Sequence, residues 1–363
     1  LLRGMLGKPG AGLLPLRGHS NVQGIGTIGV KPVLEAEVVE AIEEQLGVQL
    51  PREAGMDTLA CLRAATTGFI DTALIMGGNL YEATPDTQWA GAALKNIPFK
   101  VFLTTTLNRG HLESVSEGGD DEALILPVAA RDEERQPTTQ ESMFNYVRMS
   151  DGGIDRIDGV RPEVDVLVDI GSALLPDSGF DFSVFGEHRT IREAIAATVP
   201  SMQNLKHIDV AKEEFYVQKR IMHEPVFATD SGKGRFSVLQ TECPIADAEG
   251  FPFTLATVRS EGQFNSIIYE EQDSYRGTLQ RWSVLMNSID MLELGVEKNA
   301  RIDLASAFGE MKNVVVYPFD LPRGNVMAYY PEANVLTGSR HDPRSKTPNF
   351  KSIAVAVTRS TLA

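Results

Sequence analysis

A short polar segment near the start of the chain holds the side chains best suited to chemistry. Arg17-Gly18-His19-Ser20-Asn21-Val22-Gln23-Gly24 combines a cation, an imidazole, a hydroxyl and amides. Such groups can bind an anion through charge-assisted hydrogen bonds, and they are costly to bury without partners. Taken alone, the pattern favours a polar surface loop, with an anion-binding segment as the alternative.

The next residues repeat a known nucleotide-binding spacing. Gly24-Ile25-Gly26-Thr27-Ile28-Gly29 satisfies G-x-G-x-x-G, whose glycines let a backbone approach a pyrophosphate between a strand and a helix. Polar residues precede the motif and Pro32 follows it, so the required strand and helix are not indicated. A flexible turn is therefore favoured over a nicotinamide nucleotide site.

A third candidate follows an apolar run. Residues 71–76 (D-T-A-L-I-M) predict a short buried strand, and Gly77-Gly78-Asn79 follow it directly. Open α/β sheets bind phosphates and nucleotides at the carboxyl ends of their strands, where such turns lie. The turn is thus a candidate phosphate site.

The elements that must position these residues alternate between helices and short apolar strands. Helices are predicted at 33–46, 58–67, 89–94, 161–170 and 190–199, and strands at 71–76, 99–106 and 123–127. This alternation predicts an α/β fold with a parallel sheet.

The pattern of predicted elements changes after a short polar run at 230–234. Short β-rich segments follow at 236–239, 253–258, 300–304, 313–317 and 353–357, separated by turn residues. They predict a C-terminal β-barrel. We therefore expect two domains, an α/β domain over residues 1–230 and a barrel domain over residues 231–363.

Composition excludes several classes of function. The net charge of -15 opposes binding to nucleic acid, and no apolar run reaches the length of a membrane span. Cys61 and Cys243, the only cysteines, are too far apart in sequence to bind an iron–sulfur cluster, and a cytoplasmic location is expected. The chain begins at Leu1 without an initiator Met, which suggests a piece of a longer protein.

Several motifs together resemble one enzyme family. The arrangement R-G-x-[SN]-N-x-Q-G at 17–24, the turn at 77–79, Thr104-Thr105-Thr106-Leu107-Asn108-Arg109-Gly110-His111 and the closing residues 334–351 are in the order expected of formate dehydrogenases and related molybdopterin enzymes. The chain therefore resembles the C-terminal half of a molybdopterin oxidoreductase alpha subunit, in the formate-dehydrogenase-like branch of the DMSO reductase family. Its C-terminal barrel would then be of the double-psi-like type.

The resemblance implies a cofactor site formed by both domains. The implied cofactor is molybdenum or tungsten bound by two molybdopterin guanine dinucleotides. No residue of this chain is proposed as a metal ligand. The cofactor-binding candidates are Gly78, Asn79, Thr105, Asn108, Arg109, His111, Thr257, Arg259, Gln263, Asn265, Ser266, Asn334 and Lys351. For each Thr and Asn, a turn or strand-end cap is the competing interpretation.

The resemblance also implies a reaction. Arg17 would hold a small anionic substrate such as formate, and His19 would position it or move a proton, although either could simply bond loop backbone. The family's iron–sulfur domain, with its [4Fe-4S] cluster, and a further pterin-binding domain match no part of this chain. We therefore expect an incomplete oxidoreductase that serves an electron-acceptor protein or subunit. The alternative is a non-catalytic carrier or binding module for the cofactor.

Overall fold

The computed structural model describes residues 4–14, 21–154, 156–218, 225–238 and 250–361. Its α-helices are α1 (Val22–Thr27), α2 (Ala36–Leu46), α3 (Thr58–Thr66), α4 (Leu80–Ala83), α5 (Thr87–Lys95), α6 (Arg109–Glu113), α7 (Glu163–Leu174), α8 (His188–Thr198), α9 (Leu205–Ala211) and α10 (Ser288–Leu294). Its strands are β1 (Thr72–Met76), β2 (Phe99–Thr104), β3 (Glu122–Pro127), β4 (Thr138–Glu141), β5 (Tyr146–Ser150), β6 (Phe215–Tyr216), β7 (Phe253–Val258), β8 (Gln263–Phe264), β9 (Ile267–Ile268), β10 (Ser283–Met286), β11 (Arg301–Ala305), β12 (Glu310–Pro318), β13 (Asn325–Tyr329) and β14 (Ile353–Arg359). The predicted α/β class with a parallel sheet and a C-terminal barrel is confirmed.

The chain divides into two compact units. The first contains residues 1–60 and 127–239, and the second contains residues 61–126 and 240–363. The predicted boundary after residue 230 divides the chain differently and stays a prediction. Within the second unit, the side-chain amide of Asn334 donates to the carbonyl of Glu82 at 2.6 Å, which joins α4 to the barrel region.

The first unit packs helices on a small antiparallel sheet. The sheet has the order β4-β5-β6, and α2 packs against α8. Its core includes Val147, Met202, Leu205 and Ile208, all nearly inaccessible to solvent. This sheet was not predicted from the sequence, because its strands are only two to five residues long and β4 is entirely polar.

The parallel sheet of the second unit places two turns side by side. The strand order is β1-β2-β3, and β1 pairs in parallel with β2 from Thr72 to Met76. Because the two strands run in the same direction, the turns at 77–79 and 105–108 follow at one edge. Helices α3 and α5 pack around Leu62 and Leu94.

Six strands close into the barrel in the order β10-β12-β11-β14-β7-β13. Alternation along β10 explains how its residues are all buried: Val284 and Met286 join the main barrel core, whereas Leu285 packs with Val315 and Tyr317 on the other side. The predicted strands at 253–258, 300–304, 313–317 and 353–357 correspond to β7, β11, β12 and β14. The segment predicted at 236–239 is wrong for residues 236–238, which have no regular structure, and Leu239 lies outside the described residues.

A short helix beside the barrel is held by its own polar residues. The carboxamide oxygen of Asn287 accepts the N–H of Ile289 at 2.8 Å, and α10 ends at Gly295 with a left-handed φ of 63°. The Asp290 carboxylate accepts the backbone N–H of Gly324 at 2.7 Å. These contacts give Asn287 and Asp290 a structural role.

Candidate cofactor site

The turn after β1 contains two glycines in open space and an asparagine that caps α4. Gly77 and Gly78 both have left-handed backbones, and a Cβ at Gly78 would meet nothing within 4 Å. Asn79 is buried: its oxygen accepts the N–H of Glu82 at 3.1 Å, and its amide donates to the Glu82 carboxylate at 2.5 Å. The turn therefore leaves open space beside Gly78, whereas both polar atoms of Asn79 are engaged.

The turn after β2 touches the first turn. Asn108 caps α6 by accepting the N–H of Gly110 at 2.9 Å, and its amide donates to the carbonyl of Gly78 at 3.2 Å. A Cβ at Gly110 would lie 2.5 Å from the Asn79 carboxamide oxygen, so glycine is required for this approach. Thr105 and Arg109 are exposed, and Arg109 pairs with Glu113 at 3.1 Å.

His111 lies beneath this second turn. Its Nδ1 accepts the backbone N–H of Asn108 at 3.3 Å, and its ring packs 4.8 Å from the ring of Phe102. Burial lowers the pKa of His111. The neutral imidazole thus acts as part of a capping box, and it carries no charge toward a phosphate.

Residues on the barrel supply cations beside an aromatic ring. The Arg259 guanidinium lies 4.4 Å from the ring centroid of Tyr330, a cation–π geometry. The Lys351 ammonium donates to the carbonyl of Thr257, whose N–H and hydroxyl donate to the carbonyl of Phe350 at 3.1 and 3.2 Å. We call Arg259, Tyr330 and Lys351 the barrel cation cluster.

Gln263 fastens the adjoining hairpin to this cluster. Its amide donates to the carbonyls of Tyr330 at 2.8 Å and Asn265 at 2.7 Å, and its oxygen accepts the N–H of Ser260 at 3.1 Å. Asn265 is exposed with a left-handed φ of 54°, whereas Ser266 is buried. The side chain of Gln263 is therefore occupied by backbone groups.

The barrel cation cluster interacts electrostatically with Glu82 in α4. Burial, and then the positive charge of Arg259, lower the pKa of Lys351. Burial raises the pKa of Tyr330, which Arg259 opposes and Glu82 reinforces. Burial also raises the pKa of Glu82, with Glu332 adding to the effect. Within the second unit, the barrel cations and the residues after β1 therefore share one electrostatic environment.

Asn334 offers an unsatisfied group. It is fully buried, and its carboxamide oxygen has no hydrogen-bond partner among the residues that the structure describes. Leaving a buried acceptor unpaired costs about 1–3 kcal/mol. The open space beside Gly78, the cation cluster and this acceptor fit an anionic group that also carries N–H donors, as a pterin nucleotide does.

Four important residues were missed from the sequence: Glu82, Arg281, Tyr330 and Glu332. Arg281 is buried and donates to both oxygens of Glu332 at 2.5 and 2.8 Å, to the carbonyl of Tyr330 and to the Ser260 hydroxyl, each at 2.6 Å. The run Tyr329-Tyr330-Pro331-Glu332, so close to Asn334, was the available signal.

Arg17 and His19 lie outside the described residues. The part of their motif that the structure shows is α1, whose Gly24 packs against Glu141. Asn21 accepts the N–H of Glu141 at 3.1 Å, and the Thr27 hydroxyl bonds its carboxylate at 2.5 Å. The G-x-G-x-x-G spacing therefore starts within a short helix and does not form a strand-to-helix phosphate turn.

Comparisons with known proteins bear on this site. Residues 253–354 match the family described as "Molydopterin dinucleotide binding domain". This range includes the barrel cation cluster. The fold and the matched domain thus define a class of proteins that bind a pterin dinucleotide.

Matches to whole proteins extend further. An uncharacterized oxidoreductase of Mycobacterium tuberculosis is 35% identical over 376 residues, covering 98% of this chain and 47% of the relative. The alpha subunit of a formate dehydrogenase of Methanocaldococcus jannaschii is 25% identical over 397 residues, covering 99% and 54%. The chain is thus related to the C-terminal half of molybdopterin oxidoreductase alpha subunits, as its motifs predicted, and it spans about half the length of these relatives.

A solved structure agrees in fold. Acetylene hydratase from Pelobacter acetylenicus superposes with a TM-score of 0.60 at 14% identity, covering 89% of this chain and 50% of that protein. In the described part of this chain, no helix has the length and apolar character needed to cross a membrane.

Proposed function

We propose that this chain is the part of a molybdenum or tungsten oxidoreductase that binds the guanine dinucleotide of a molybdopterin cofactor and orients it. The observation that carries the proposal is the barrel cation cluster, Arg259 over Tyr330 beside Lys351, inside the matched residues 253–354. In an acidic chain of net charge -15, two cations so close that Arg259 lowers the pKa of Lys351 favour an anionic partner.

The residues of this chain would bind and orient rather than react. Arg259 and Lys351 would contact the phosphates, with the Gly78 backbone as a neutral donor surface. The cofactor itself, when bound, supplies a metal that changes oxidation state. The other predicted residues, Asn79, Thr105, Asn108, Arg109, His111, Thr257, Gln263, Asn265, Ser266 and Asn334, remain candidates that would shape the site around these contacts.

We further propose that the substrate is a small anion such as formate, held by Arg17, with His19 positioning it or moving a proton. The similarity to formate dehydrogenase alpha subunits supports this choice, although the oxidoreductase at 35% identity is uncharacterized. An electron-acceptor protein, a [4Fe-4S] cluster contributed by sequence outside this chain, and a cytoplasmic location belong to the same proposal.

The test is cofactor retention in purified protein. Metal analysis and guanine nucleotide release should show bound dinucleotide in the wild type, and Arg259→Ala combined with Lys351→Ala should reduce the retained amount at least tenfold. Arg301→Ala, an exposed barrel arginine outside the cluster, is the matched control and should retain it fully. Equal retention by the double variant would contradict the proposal.

A dye-reduction assay with formate separates the enzyme from a carrier. Turnover that is lost in Arg17→Ala while cofactor is retained supports the enzyme. Retained cofactor with no electron transfer by the wild type in its complete protein would favour the non-catalytic binding module.

A further inference from the structure

A cavity at the end of the barrel is separate from the cation cluster. It encloses about 330 Å³, at the small end of the roughly 300–1,000 Å³ common for small-molecule sites. Its lining combines apolar and aromatic side chains with a few polar residues: Phe251, Ala307, Phe308, Gly338, Arg340, Asn349, Ser352, Ile353 and Ala354. None of them is among the predicted cofactor-binding residues.

The aromatic wall is built into the fold. A Cβ at Gly338 would lie 2.4–2.9 Å from three ring atoms of Phe308, so a side chain at this position would displace the ring. The Ser306 hydroxyl accepts the N–H of Phe308 at 3.0 Å and fixes the turn that carries the ring. Phe308 nevertheless remains 46% exposed, which leaves a large apolar surface open.

The opposite wall of the cavity is the segment 349–352, whose residues face either the cavity or the cation cluster. Phe350 and Lys351 contact Tyr330 and Thr257 respectively, whereas their neighbours Asn349 and Ser352 line the cavity. Ser352 has a left-handed φ of 57°, a conformation that is strained for a residue other than glycine. The single backbone segment 349–352 therefore separates the cavity from the cation cluster.

The positive charge of this segment favours an anionic ligand. Arg340, Arg344 and Lys346 lie in this segment with only Asp342 among them to oppose their charge, although the whole chain carries -15. Asp342 accepts the N–H groups of Arg344 and Ser345, at 2.9 and 2.7 Å. Across the described chain, no hydrogen bond or ion pair of the Arg340 guanidinium is found, so it is available to an anion.

We propose that this cavity binds a small aromatic carboxylate, with the ring against Phe308 and Ile353 and the carboxylate paired with Arg340. An apolar anion satisfies both walls, because the ring covers exposed carbon and the carboxylate neutralises a cation. The site goes beyond the proposed dinucleotide function and does not depend on it.

The experiment measures binding of naphthoate, of neutral naphthalene methanol and of sulfate to the full chain by titration calorimetry. Naphthoate should bind at one site, and Arg340→Ala should weaken it roughly tenfold while leaving naphthalene methanol unchanged. Arg344→Ala removes the same charge from the same segment without lining the cavity, and it should bind naphthoate like the wild type.

Filling the cavity provides the second test. Ala354→Phe should abolish binding of both aromatic probes. If that variant lowers the melting temperature, Ala307→Leu, beside Phe308, fills the cavity instead. The proposal is overturned by unchanged naphthoate affinity in Arg340→Ala or in a folded cavity-filling variant. Full displacement of naphthoate by sulfate would also overturn it, since the site would then bind any small anion.

Discussion

The two turns after β1 and β2 and the barrel cation cluster are both polar, but they use their side chains differently. In the turns, Asn79, Asn108 and His111 are engaged in capping helices and in holding each other. In the cluster, Arg259 and Lys351 each keep much of their hydrogen-bonding capacity free, since Lys351 has three donors and Arg259 five. A polar residue that starts a short helix is therefore weaker evidence of a ligand contact than a cation on a strand end.

The largest expected effect concerns the support of the cluster. Arg281 is buried and binds Glu332 through two hydrogen bonds, so Arg281→Met should lower the free energy of unfolding by about 3–5 kcal/mol. The reason is that Glu332 keeps its charge and loses its partner. Denaturant unfolding followed by fluorescence measures the change.

The double variant Arg281→Met with Glu332→Gln is the control for this effect. Removing both charges should restore a large part of the lost stability, because no uncompensated carboxylate remains. A single variant as stable as the wild type would show that this ion pair does not stabilise the cluster.

A smaller effect should separate the two regions directly. Asn108→Ala removes the α6 cap and should cost about 1 kcal/mol of stability, with dinucleotide retention within twofold of the wild type. Lys351→Ala should do the opposite, lowering retention while costing less than about 1 kcal/mol of stability, because its half-buried ammonium makes one hydrogen bond, to the carbonyl of Thr257. Chemical denaturation and nucleotide release from the same preparations measure both quantities. Equal loss of retention in the two variants would mean that the Asn108 side chain binds the dinucleotide.

The sequence predicts elements with a clear apolar pattern better than it predicts residues whose role depends on distant partners. The strands 72–76 and 99–104 and the four barrel strands were predictable because their apolar residues are contiguous or alternate. Arg259 and Lys351 were also predicted from the sequence as cofactor-binding candidates, and their role stays a prediction. Arg281, Tyr330 and Glu332 were missed because their importance comes from burial and from partners distant in sequence.

Local patterns also could not distinguish a cap from a ligand. Asn108 followed by His111 fits both a phosphate-binding turn and a capping box, and only the contacts at 2.9 and 3.3 Å show the capping role. The strand β4 was missed for a related reason, since its polar residues Thr138, Thr139 and Gln140 give no apolar alternation.

A pH effect should follow from His111. Burial lowers its pKa below the ordinary 6.5, so the unfolded chain binds the proton more readily than the folded chain. The stability that neutral His111 provides is fully present above pH 6.5 and is lost as the pH falls from there through the folded pKa. His111→Gln should therefore show a smaller loss of unfolding free energy than the wild type between pH 7.5 and 5.5. Parallel denaturation curves at the two values would check this, and an identical loss in both proteins would contradict it.

Arg109 should give the smallest change in stability and the sharpest test of the contrast between turn and barrel. Its ion pair with Glu113 is solvent-exposed, so Arg109→Ala should alter the free energy of unfolding by less than about 0.5 kcal/mol. Arg109 is also the one predicted site residue in the two turns with a permanent positive charge, and Glu113 already neutralises part of it. We therefore expect dinucleotide retention to fall less than in Lys351→Ala, and Arg109→Lys to restore it. If Arg109→Ala instead loses as much cofactor as Lys351→Ala, the turn after β2 contributes charge as strongly as the barrel, and the distinction between capping and binding regions would apply only to the asparagines and His111.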